Sequence, residues 1–539
     1  MGTRREKLWA ALTGALAALA TLAVAEALAA IMVLPASSPL FAVGSIVIDL
    51  VPGWLKETVI ALFGTADKIA LFASLGMLVL VLAAGIGILQ YRRPPWGMVA
   101  LTAIGLVATL AASTRADASG IWAIPTLVGV VVGVFVLRAT TDRLRDWMAA
   151  AGVAAGAAGA AAAARGVDAS SDQRASREVA RAALTRRRFV ALLGGTAAGA
   201  IVVGLGARAI NAGTAAVNTV REALTLPKPA TAAPTIVSGA ELGIPGLSPI
   251  ISSNETFYRI DTALQIPVID AATWKLKIFG MVDNEIEIGF DELLALPLTE
   301  HAVTLMCVSN EVGGDLIGNA IWLGYPIREL LKRAGPKPGA DMVLSRSIDG
   351  FTASTPLSVL QEADRDCLLA VGMNGSPLPL EHGFPVRMVV PGLYGYVSAT
   401  KWVVELEVTR FADKTAYWTD RGWSDHGPVK TSSRIDVPAS GARLSAGTVP
   451  IAGVAWAQHT GITGVEVRID SGSWMTARLA DAISADTWVQ WVYQWEATSG
   501  NHLIEVRATD AAGTIQSGKR VGTVPDGAEG WHSVTVAVG

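Results

Sequence analysis

The sequence predicts a multidomain protein: an N-terminal all-α transmembrane bundle, then an α+β domain, then a C-terminal all-β, immunoglobulin-like sandwich. Three observations predict this order. Apolar stretches fill the first 210 residues, short helices and strands alternate irregularly after 251, and short alternating strands with turn clusters follow 429. The chain has 539 residues, enough for several domains. Its formal net charge of −3 argues against a nucleic-acid-binding protein, which needs an excess of basic residues.

Five apolar stretches approach or exceed the roughly 20 residues that a membrane-spanning helix needs. They are residues 8–34, 68–89, 97–112, 121–137 and 189–210. Arginine and lysine clusters precede the first stretch, follow the second and fourth, and precede the fifth. A cytoplasmic position for all four clusters satisfies the positive-inside rule. An odd number of spans then predicts a multi-pass protein of the cell membrane, with the chain after about residue 211 on the extracytoplasmic side.

The predicted domain boundaries follow these stretches. They are a four-span region (1–139), a cytoplasmic Ala/Arg-rich linker (140–188), the fifth span (189–210), a Pro-rich tether (211–250), the α+β domain (251–428) and the sandwich (429–539). An Ala/Gly stretch inside the linker is long enough for a sixth span, which would turn the globular half inward. Its charged flanks and weak hydrophobicity favour a linker.

The predicted spans carry little chemistry of their own. None contains histidine, so we expect the bundle to hold no haem, whose iron usually needs such a ligand. Glu26 is the one acid deep inside the first four spans. It leaves open a quinone-facing or transport role. A protonated or locally paired side chain explains it more simply, and anchoring is the favoured role of the bundle.

The segment that precedes the fifth span resembles a twin-arginine export signal. Arg186 and Arg187 are adjacent, Phe189 follows, and a moderately apolar stretch comes next. A positive-inside stop explains the same arginines. The export interpretation gains weight if the domain binds its cofactor before crossing the membrane, because this route carries folded proteins.

Several motifs of the α+β domain resemble those of the sulfite oxidase family of molybdopterin-dependent oxidoreductases. The motifs are FYRID at 257–261, TLMCVSN at 304–310, GNAIWLG at 318–324, MNGSPLP at 373–379, HGFPVR at 382–387, VPG at 390–392 and Lys401-Trp402. The similarity covers about residues 250–535, because the sandwich resembles the family's dimerisation domain. The resemblance implies a molybdenum–molybdopterin cofactor in the α+β domain and a homodimer formed through the sandwich.

The resemblance also implies site residues. Cys307 is the expected metal ligand, and a soft thiolate suits a metal that pterin sulfurs already hold. The implied catalytic residues are Cys307 and Arg259, and the implied cofactor contacts are Phe257, Tyr258, Arg259, Asp349, His382, Arg387, Ala399, Thr400 and Lys401. Without the motifs, an isolated cysteine is more often a small buried apolar residue, as we expect for Cys367. A disulfide between the two stays open.

The sequence departs from the family where the substrate is recognised. Sulfite oxidases have arginines after the metal-binding cysteine, whereas this chain has 308–312, VSNEV, with an acid at Glu311. Phe351 stands where the family has its active-site tyrosine, and an expected arginine is missing around 461–462. Of the cations that face the anion, Arg259 remains. Since an acid near the metal repels an oxyanion, we expect a substrate other than sulfite.

These observations favour an enzyme that transfers an oxygen atom to or from a small molecule at molybdenum. The chain contains no recognisable cytochrome domain, so a separate cytochrome or quinone-linked protein is the expected electron partner. Within the enzyme class the alternative is an S- or N-oxide reductase similar to the periplasmic methionine-sulfoxide reductases. From another class, the alternative is a membrane-anchored binding scaffold that has lost its metal.

Overall fold

The computed structural model describes residues 4–32, 38–39, 43, 67–113, 120–163, 169–210, 220–263 and 266–539. The chain divides into two compact units, Met1–Ala215 and Ala216–Gly539. The first unit is helical, and the second contains the α+β domain and the sandwich.

The first unit is built from long apolar helices. They are α1 (Arg4–Ile31), α2 (Asp67–Arg92), α3 (Trp96–Ser113), α4 (Ala123–Ala163) and α5 (Ala169–Ile210). Among the described residues, four helices are long and apolar enough to cross a membrane: all of α1 and α3 and most of α2 and α4. This agrees with an anchored protein. The predicted fifth span forms the second half of α5. Its side chains from residue 204 lie outside the described residues, so that span stays a prediction.

The region predicted as a linker is largely helical. Helix α4 continues to Ala163 and α5 begins at Ala169. With 41 residues, α4 is about 60 Å long at ~1.5 Å per residue, twice the hydrocarbon thickness of a bilayer. The alanine-rich segment therefore extends the fourth helix, as its high helix propensity allows.

Small residues let α1 and α2 approach closely. A Cβ added at Gly14 would lie 1.9 Å from the carbonyl oxygen of Ala83, and one added at Gly87 would lie 2.0 Å from that of Ala10. In lipid the hydrophobic effect does not drive helices together, and close backbone packing at small residues is one of the interactions by which they associate. Glu26 accepts a hydrogen bond from the Ser38 hydroxyl, so its carboxyl group is paired.

Aromatic side chains join three helices at one end of the bundle. Trp9 packs edge-on against Trp147 and Phe189, with ring centroids 5.6 Å apart in each pair. Arg5 and Arg186 each lie 5.9 Å from the centroid of the Trp147 ring. These contacts bring the basic segments of α1, α4 and α5 together. The C-terminal end of α2 is also here, because Arg145 of α4 donates hydrogen bonds to its last carbonyl groups.

The α+β domain contains one mixed sheet, in which β1 and β10 pair in parallel, and one antiparallel sheet, around one core. Its strands are β1 (Lys275–Gly280), β2 (Ile286–Gly289), β3 (Thr299–Met306), β4 (Ile317–Pro326), β5 (Met342–Ser347), β6 (Thr352–Pro356), β7 (Leu368–Met373), β8 (Ser376–Pro377), β9 (Arg387–Val389) and β10 (Val403–Thr409); its helices are α6 (Phe290–Leu294), α7 (Ile327–Ala334) and α8 (Leu357–Gln361). One sheet has the order β2-β1-β10-β5-β6 and the other β3-β4-β7-β8, with β9 paired to β7.

The C-terminal domain is the predicted two-sheet sandwich. Its strands are β11 (Ser432–Val437), β12 (Arg443–Leu444), β13 (Gly447–Trp456), β14 (Ile462–Ile469), β15 (Met475–Thr476), β16 (Arg478–Leu479), β17 (Val489–Ala497), β18 (Gly500–Asp510) and β19 (His532–Val538). The sheet orders are β11-β13-β17-β16 and β12-β19-β18-β14-β15. Side chains along β18 alternate between buried and partly exposed, as a strand with one face on the core requires.

The Pro-rich segment is not a free tether over its described length. The backbone N–H of Ala230 donates to Leu298 O, that of Leu242 to the Gln490 side chain, and that of Ser248 to the Asp436 carboxylate. Prolines favour an extended backbone, and these bonds satisfy donors that remain between them. From about residue 230 onward the predicted tether is therefore held against the domains by hydrogen bonds, while 211–219 lie outside the described residues.

Candidate functional site

Cys307 lies immediately after β3, at the start of the loop that leads to β4, and is only 9% exposed. Its backbone N–H donates to Leu316 O at 2.9 Å, and its carbonyl accepts from the N–H of Asn310 at 3.1 Å. The Asn310 side-chain oxygen accepts from the N–H of Leu316 at 2.7 Å. Burial raises the pKa of the Cys307 thiol, and hydrogen bonds with Ser309 oppose this. The thiol therefore sits on a loop closed by its own hydrogen bonds.

An aromatic wall borders this cysteine. Phe257 stacks on Tyr258 at a centroid distance of 5.2 Å and meets Trp322 and His382 edge-on at 5.6 and 5.5 Å. Burial raises the pKa of the Tyr258 hydroxyl, and the nearby Cys307 raises it further. Tyr258 is therefore neutral at physiological pH and can act as a hydrogen-bond donor beside the thiol.

Two buried cations and one half-buried cation lie in the same region. Lys401 donates from Nζ to the Asp261 carboxylate at 2.7 Å, and Arg259 Nε lies 3.0 Å from the same carboxylate. Arg387, 5% exposed, instead donates to the carbonyl oxygens of His382 and Ala399. Among the residues that the structure describes, no carboxylate lies within ion-pair distance of Arg387. Lys401 and Arg259 thus share one carboxylate and Arg387 has none among the described residues, so the region carries positive charge that favours an anion.

Burial changes the pKa of these groups. It lowers the pKa of Arg387 to about 10, opposed by Tyr258, and that of Lys401 to about 8, opposed by Asp261. Burial, with the nearby charge of Arg387, lowers the pKa of His382 to about 3, so this imidazole is neutral at pH 7. Its Nε2 lies 3.0 Å from the carbonyl oxygen of Asn254. Since a carbonyl only accepts, Nε2 carries the proton.

The structure brings most of the predicted site residues together. Phe257, Tyr258, Arg259, His382, Arg387, Ala399 and Lys401 form one connected set through the contacts above. Thr400 is buried beside them and shares a 2.7 Å hydrogen bond with Ser345. Asp349 stands apart, in the turn between β5 and β6, where its carboxylate accepts a 3.5 Å hydrogen bond from Thr262.

Four residues join this set that the predicted list lacks. Asp261 and Asn254 make the contacts just described, and Asn310 has a buried side-chain nitrogen without a hydrogen-bond partner among the described residues. Tyr394 is buried, and its pKa is raised to about 12, mainly by burial and slightly by Cys307. Asp261 and Asn310 gave a signal in the sequence, as the last residues of the FYRID and TLMCVSN motifs, whereas Asn254 and Tyr394 lie outside the quoted motifs.

Phe351 and the second cysteine also have clear positions. The Phe351 ring packs against Tyr417, with centroids 5.9 Å apart. Cys367 is buried, its thiol lies 3.5 Å from Val359 O, and both cysteines are free. Burial raises the pKa of Cys367 to about 12, which makes it an inert apolar residue, and a disulfide with Cys307 is not formed.

The donor set fits a molybdenum–pterin cofactor. A thiol, an orphan amide donor and an uncompensated guanidinium surround the same region, and a pterin tail ends in a phosphate that needs cationic partners. Arg387 is suited to a bidentate contact and Lys401 to a point-charge contact.

Comparisons with known proteins agree with this chemistry. Residues 263–418 match the family described as oxidoreductase molybdopterin binding domain, and residues 432–536 match the bacterial Ig domain. The uncharacterized oxidoreductase YuiH of Bacillus subtilis is 33% identical over 167 residues, which are 31% of this chain and 80% of that protein. The sulfite oxidase of Arabidopsis thaliana is 28% identical, over 50% of this chain and 84% of that protein.

Two further matches are more distant or less complete. Mitochondrial sulfite oxidase of Mus musculus is 29% identical over 271 residues, which are 42% of this chain and 49% of that protein. The chain thus spans about half the length of the mitochondrial relatives it matches. Among solved structures, the sulfane dehydrogenase SoxCD of Paracoccus pantotrophus is similar at 24% identity and a TM-score of 0.45, over 50% of this chain and 75% of that one.

The depressed pKa of Lys401 predicts a pH dependence of stability in the cofactor-free protein. An unfolded chain keeps a lysine protonated to about pH 10.4, whereas folded Lys401 loses its proton near pH 8. The unfolded state therefore binds more protons between these values, and this residue adds stability as pH rises. Relative to Lys401→Met, the free energy of unfolding of the wild type should rise by up to about 1.4 kcal/mol per pH unit.

Denaturant titrations of the full chain followed by tryptophan fluorescence at pH 7 to 10 measure this slope. Lys332→Met, at an exposed lysine of α7, is the matched control and should run parallel to the wild type. Parallel curves for Lys401→Met as well would show that Lys401 has an ordinary pKa.

Proposed function

Because the chain belongs to the sulfite oxidase family of molybdopterin-dependent oxidoreductases, we propose that it is a membrane-anchored enzyme that transfers an oxygen atom at a Cys307-ligated molybdenum. The observation that carries this proposal is that Tyr258 lies near both the buried Cys307 thiol and Arg387, a buried cation with no carboxylate partner among the described residues. Such an arrangement is costly unless a ligand supplies both a metal for the thiolate and negative charge for the cations.

Each site residue has a role that follows from its contacts. The cofactor, when bound, supplies the two-electron chemistry of oxygen-atom transfer. Arg387 and Lys401 hold the pterin phosphate, and Asp261 fixes the ammonium of Lys401 before the cofactor arrives. Neutral His382 is oriented by Asn254 O and packs against Phe257. Tyr258 offers its hydroxyl proton beside Cys307 and helps the aromatic wall to exclude water.

We propose a substrate that is not an oxyanion. The loop after Cys307 carries exposed Glu311 where relatives of the sulfite-oxidising type carry arginines. Phe351 offers no hydroxyl and packs against Tyr417. Reduction of a neutral S- or N-oxide is the second candidate function, because such a substrate carries no net charge for Glu311 to repel. A scaffold without metal is less favoured, because it gives no reason to keep Arg387 buried without a counter-charge.

We also propose that the globular half lies on the extracytoplasmic side. The contacts among Trp9, Trp147 and Phe189 gather the basic segments at one end of the bundle, which supports a common cytoplasmic face under the positive-inside rule. A separate cytochrome or quinone-linked electron carrier and a homodimer through the sandwich remain expectations of the family resemblance.

Metal content tests the central proposal. The full chain, matured in a host that makes the pterin, should carry about one molybdenum per chain by mass spectrometry of metals and should release pterin on denaturation. Cys307→Ser should keep pterin but lose turnover, because an alkoxide does not replace a soft thiolate. Cys367→Ser, at the other buried cysteine, should match the wild type. Absence of both molybdenum and pterin from the wild type would leave the scaffold as the surviving hypothesis.

Charge reversal at Glu311 tests the proposed exclusion of sulfite. Glu311→Arg makes the loop more positive by two charges and should raise kcat/KM for sulfite by roughly tenfold, through attraction of the anion. Glu496→Arg, an exposed acid of the sandwich strand β17, makes the same change in net charge and should have little effect. Efficient wild-type sulfite oxidation that Glu311→Arg leaves unchanged would contradict this part of the proposal.

Replacing the arginine pair tests the route across the membrane. Arg186→Lys with Arg187→Lys keeps the positive charge but removes the guanidinium groups that a twin-arginine signal presents. The globular half should then stay inside and resist protease added to spheroplasts. The adjacent pair at the end of α2 gives the control, Arg92→Lys with Arg93→Lys, which should not change protease access. If both variants are cleaved like the wild type, the arginines serve only as a positive-inside signal.

A further inference from the structure

The loop that carries Cys307 is covered at its tip by the sandwich domain. Gly313, at the tip, has φ +85°, and a Cβ added there would lie 2.3 Å from Cδ2 and 2.4 Å from Nε2 of His532 in β19. Two features require glycine at this position: its left-handed backbone conformation, and the imidazole that fills the space a side chain would occupy. The next turn of the sandwich is close as well, because a Cβ at Gly530 would contact Val312 at 3.5 Å.

Arg434 of β11 makes the polar part of this contact. Its Nη1 donates to Gly314 O at 2.7 Å, its Nη2 donates to the Ser248 hydroxyl at 2.8 Å, and its Nε pairs with Asp436 at 2.6 Å. Arg434 is 8% exposed, so these bonds are made largely out of water. A buried guanidinium with three directed partners holds the carbonyl group of Gly314 in a defined position relative to the sandwich.

A hydrogen bond and burial fix the orientation and the neutral state of the His532 ring. Its Nδ1 accepts a 2.9 Å hydrogen bond from the backbone N–H of Ile435, so the proton of the neutral ring is on Nε2. Burial and the charge of Arg434 lower the pKa of His532 to about 4, which keeps the ring neutral at physiological pH. The imidazole therefore presents a fixed, uncharged wall to Gly313.

A short chain of contacts connects this tip to the thiol. A Cβ at Gly314 would lie 2.7 Å from the side-chain oxygen of Asn310, so the tip is packed against that amide. The same oxygen accepts the N–H of Leu316, and Leu316 O accepts the N–H of Cys307. If Gly314 moves, Asn310 is therefore expected to move with it or to lose its hydrogen bond with the N–H of Leu316. The carbonyl group of Leu316 is the acceptor for the backbone N–H of Cys307.

We propose that Arg434 and His532 of the sandwich are positioning residues for Cys307, so that the C-terminal domain forms part of the active site. The sandwich would act through the loop tip and touch neither metal nor substrate. The role in catalysis rests on the proposed function, since it assumes that Cys307 is the metal ligand, but the mechanical coupling does not.

Thiol reactivity in the full chain tests the coupling without the cofactor. The protein is purified in detergent from a host that cannot make the pterin and is alkylated with iodoacetamide under native conditions. Mass spectrometry then follows modification of Cys307 and Cys367 separately. Arg434→Ala and Gly313→Ala should each speed modification of Cys307 by about tenfold or more, while Cys367 should stay at its slow wild-type rate. Arg434→Lys, which keeps a charge beside Asp436, should restore part of the protection.

A matched control separates coupling from general loss of stability. Arg468→Ala removes another sandwich arginine, whose Nε is paired with Glu505 at 2.6 Å and whose guanidinium lies over the rings of Trp474 and Trp531, without a described hydrogen bond to the loop. It should leave the Cys307 rate unchanged. The proposal is overturned if Cys307 reacts at the wild-type rate in Arg434→Ala and Gly313→Ala, or if Arg468→Ala speeds it equally. If Cys367 also reacts fast in Arg434→Ala, that variant has unfolded. Arg434→Lys then replaces it, and its rate of Cys307 modification is compared with that of the wild type while Cys367 stays slow.

Failure of the proposed function would look different. In that case the wild type would lack molybdenum in a pterin-competent host, while the alkylation rates would still follow Arg434 and Gly313. Loss of the coupling alone would leave a molybdenum-loaded enzyme whose Cys307 is indifferent to the sandwich.

Discussion

Arg387 and Lys401 place positive charge where water hardly reaches, and the surrounding domain is organised to tolerate it. Even after relaxation, taking an ion out of water costs several kcal/mol. Asp261 offsets Lys401 and part of Arg259, whereas Arg387 has carbonyl oxygens and the face of Trp322, 5.0 Å from its guanidinium carbon. Carbonyl dipoles and an aromatic ring stabilise a cation less than a carboxylate does. The remaining positive charge therefore favours binding of an anionic group. This uncompensated charge lies inside the domain core.

The same constraint explains the distribution of hydrogen bonds around the site. His382 is kept neutral by burial and by the neighbouring Arg387, so it adds no further positive charge. Its backbone carbonyl accepts from Arg387, and its ring donates to Asn254 O. Asn254 in turn accepts from the Asn374 amide, whose oxygen accepts the N–H of Ile321 in β4. The cation site is thus joined to the sheet that carries Cys307 through neutral groups, which keep their geometry over a wide range of pH.

The sequence was sufficient for the architecture and for the residues that motifs carry. The order of helical, α+β and all-β regions follows from the spacing of apolar residues and turn clusters, and the expectation for Cys307, His382, Arg387 and Lys401 follows from the motifs that resemble the family. Contacts between domains could not be predicted in this way. Gly313 and His532 are 219 positions apart, and neither residue type signals that a ring will fill the space of a missing side chain.

Segment conformation was harder to predict where composition and packing disagree. The prolines between residues 227 and 249 led to the prediction of a tether. In the structure, backbone N–H groups between these prolines donate hydrogen bonds to the side chains of Gln490 and Asp436, and Ala240 is buried, so the segment is held on the domains. Alanine and glycine suggested a linker after the fourth span, but a helix already begun extends cheaply through alanine. In both cases the adjoining structure determined the conformation: the folded domains for the Pro-rich segment, and the preceding helix for the alanine-rich one.

The two sides of the site differ in charge, and this difference bears on the substrate. Cations gather on the side of Arg387, Lys401 and Arg259, where the pterin phosphate would neutralise them. On the loop side, residues 308–312 contain the acid Glu311 and no arginine. A cation already neutralised by a bound phosphate attracts a second anion only weakly, so an oxyanion entering from the loop side would meet little attraction and one repulsive carboxylate. The charges that suit the domain to its cofactor therefore give no matching attraction for a second anion, and this division of charge is the physical basis of the proposal that the substrate is not an oxyanion.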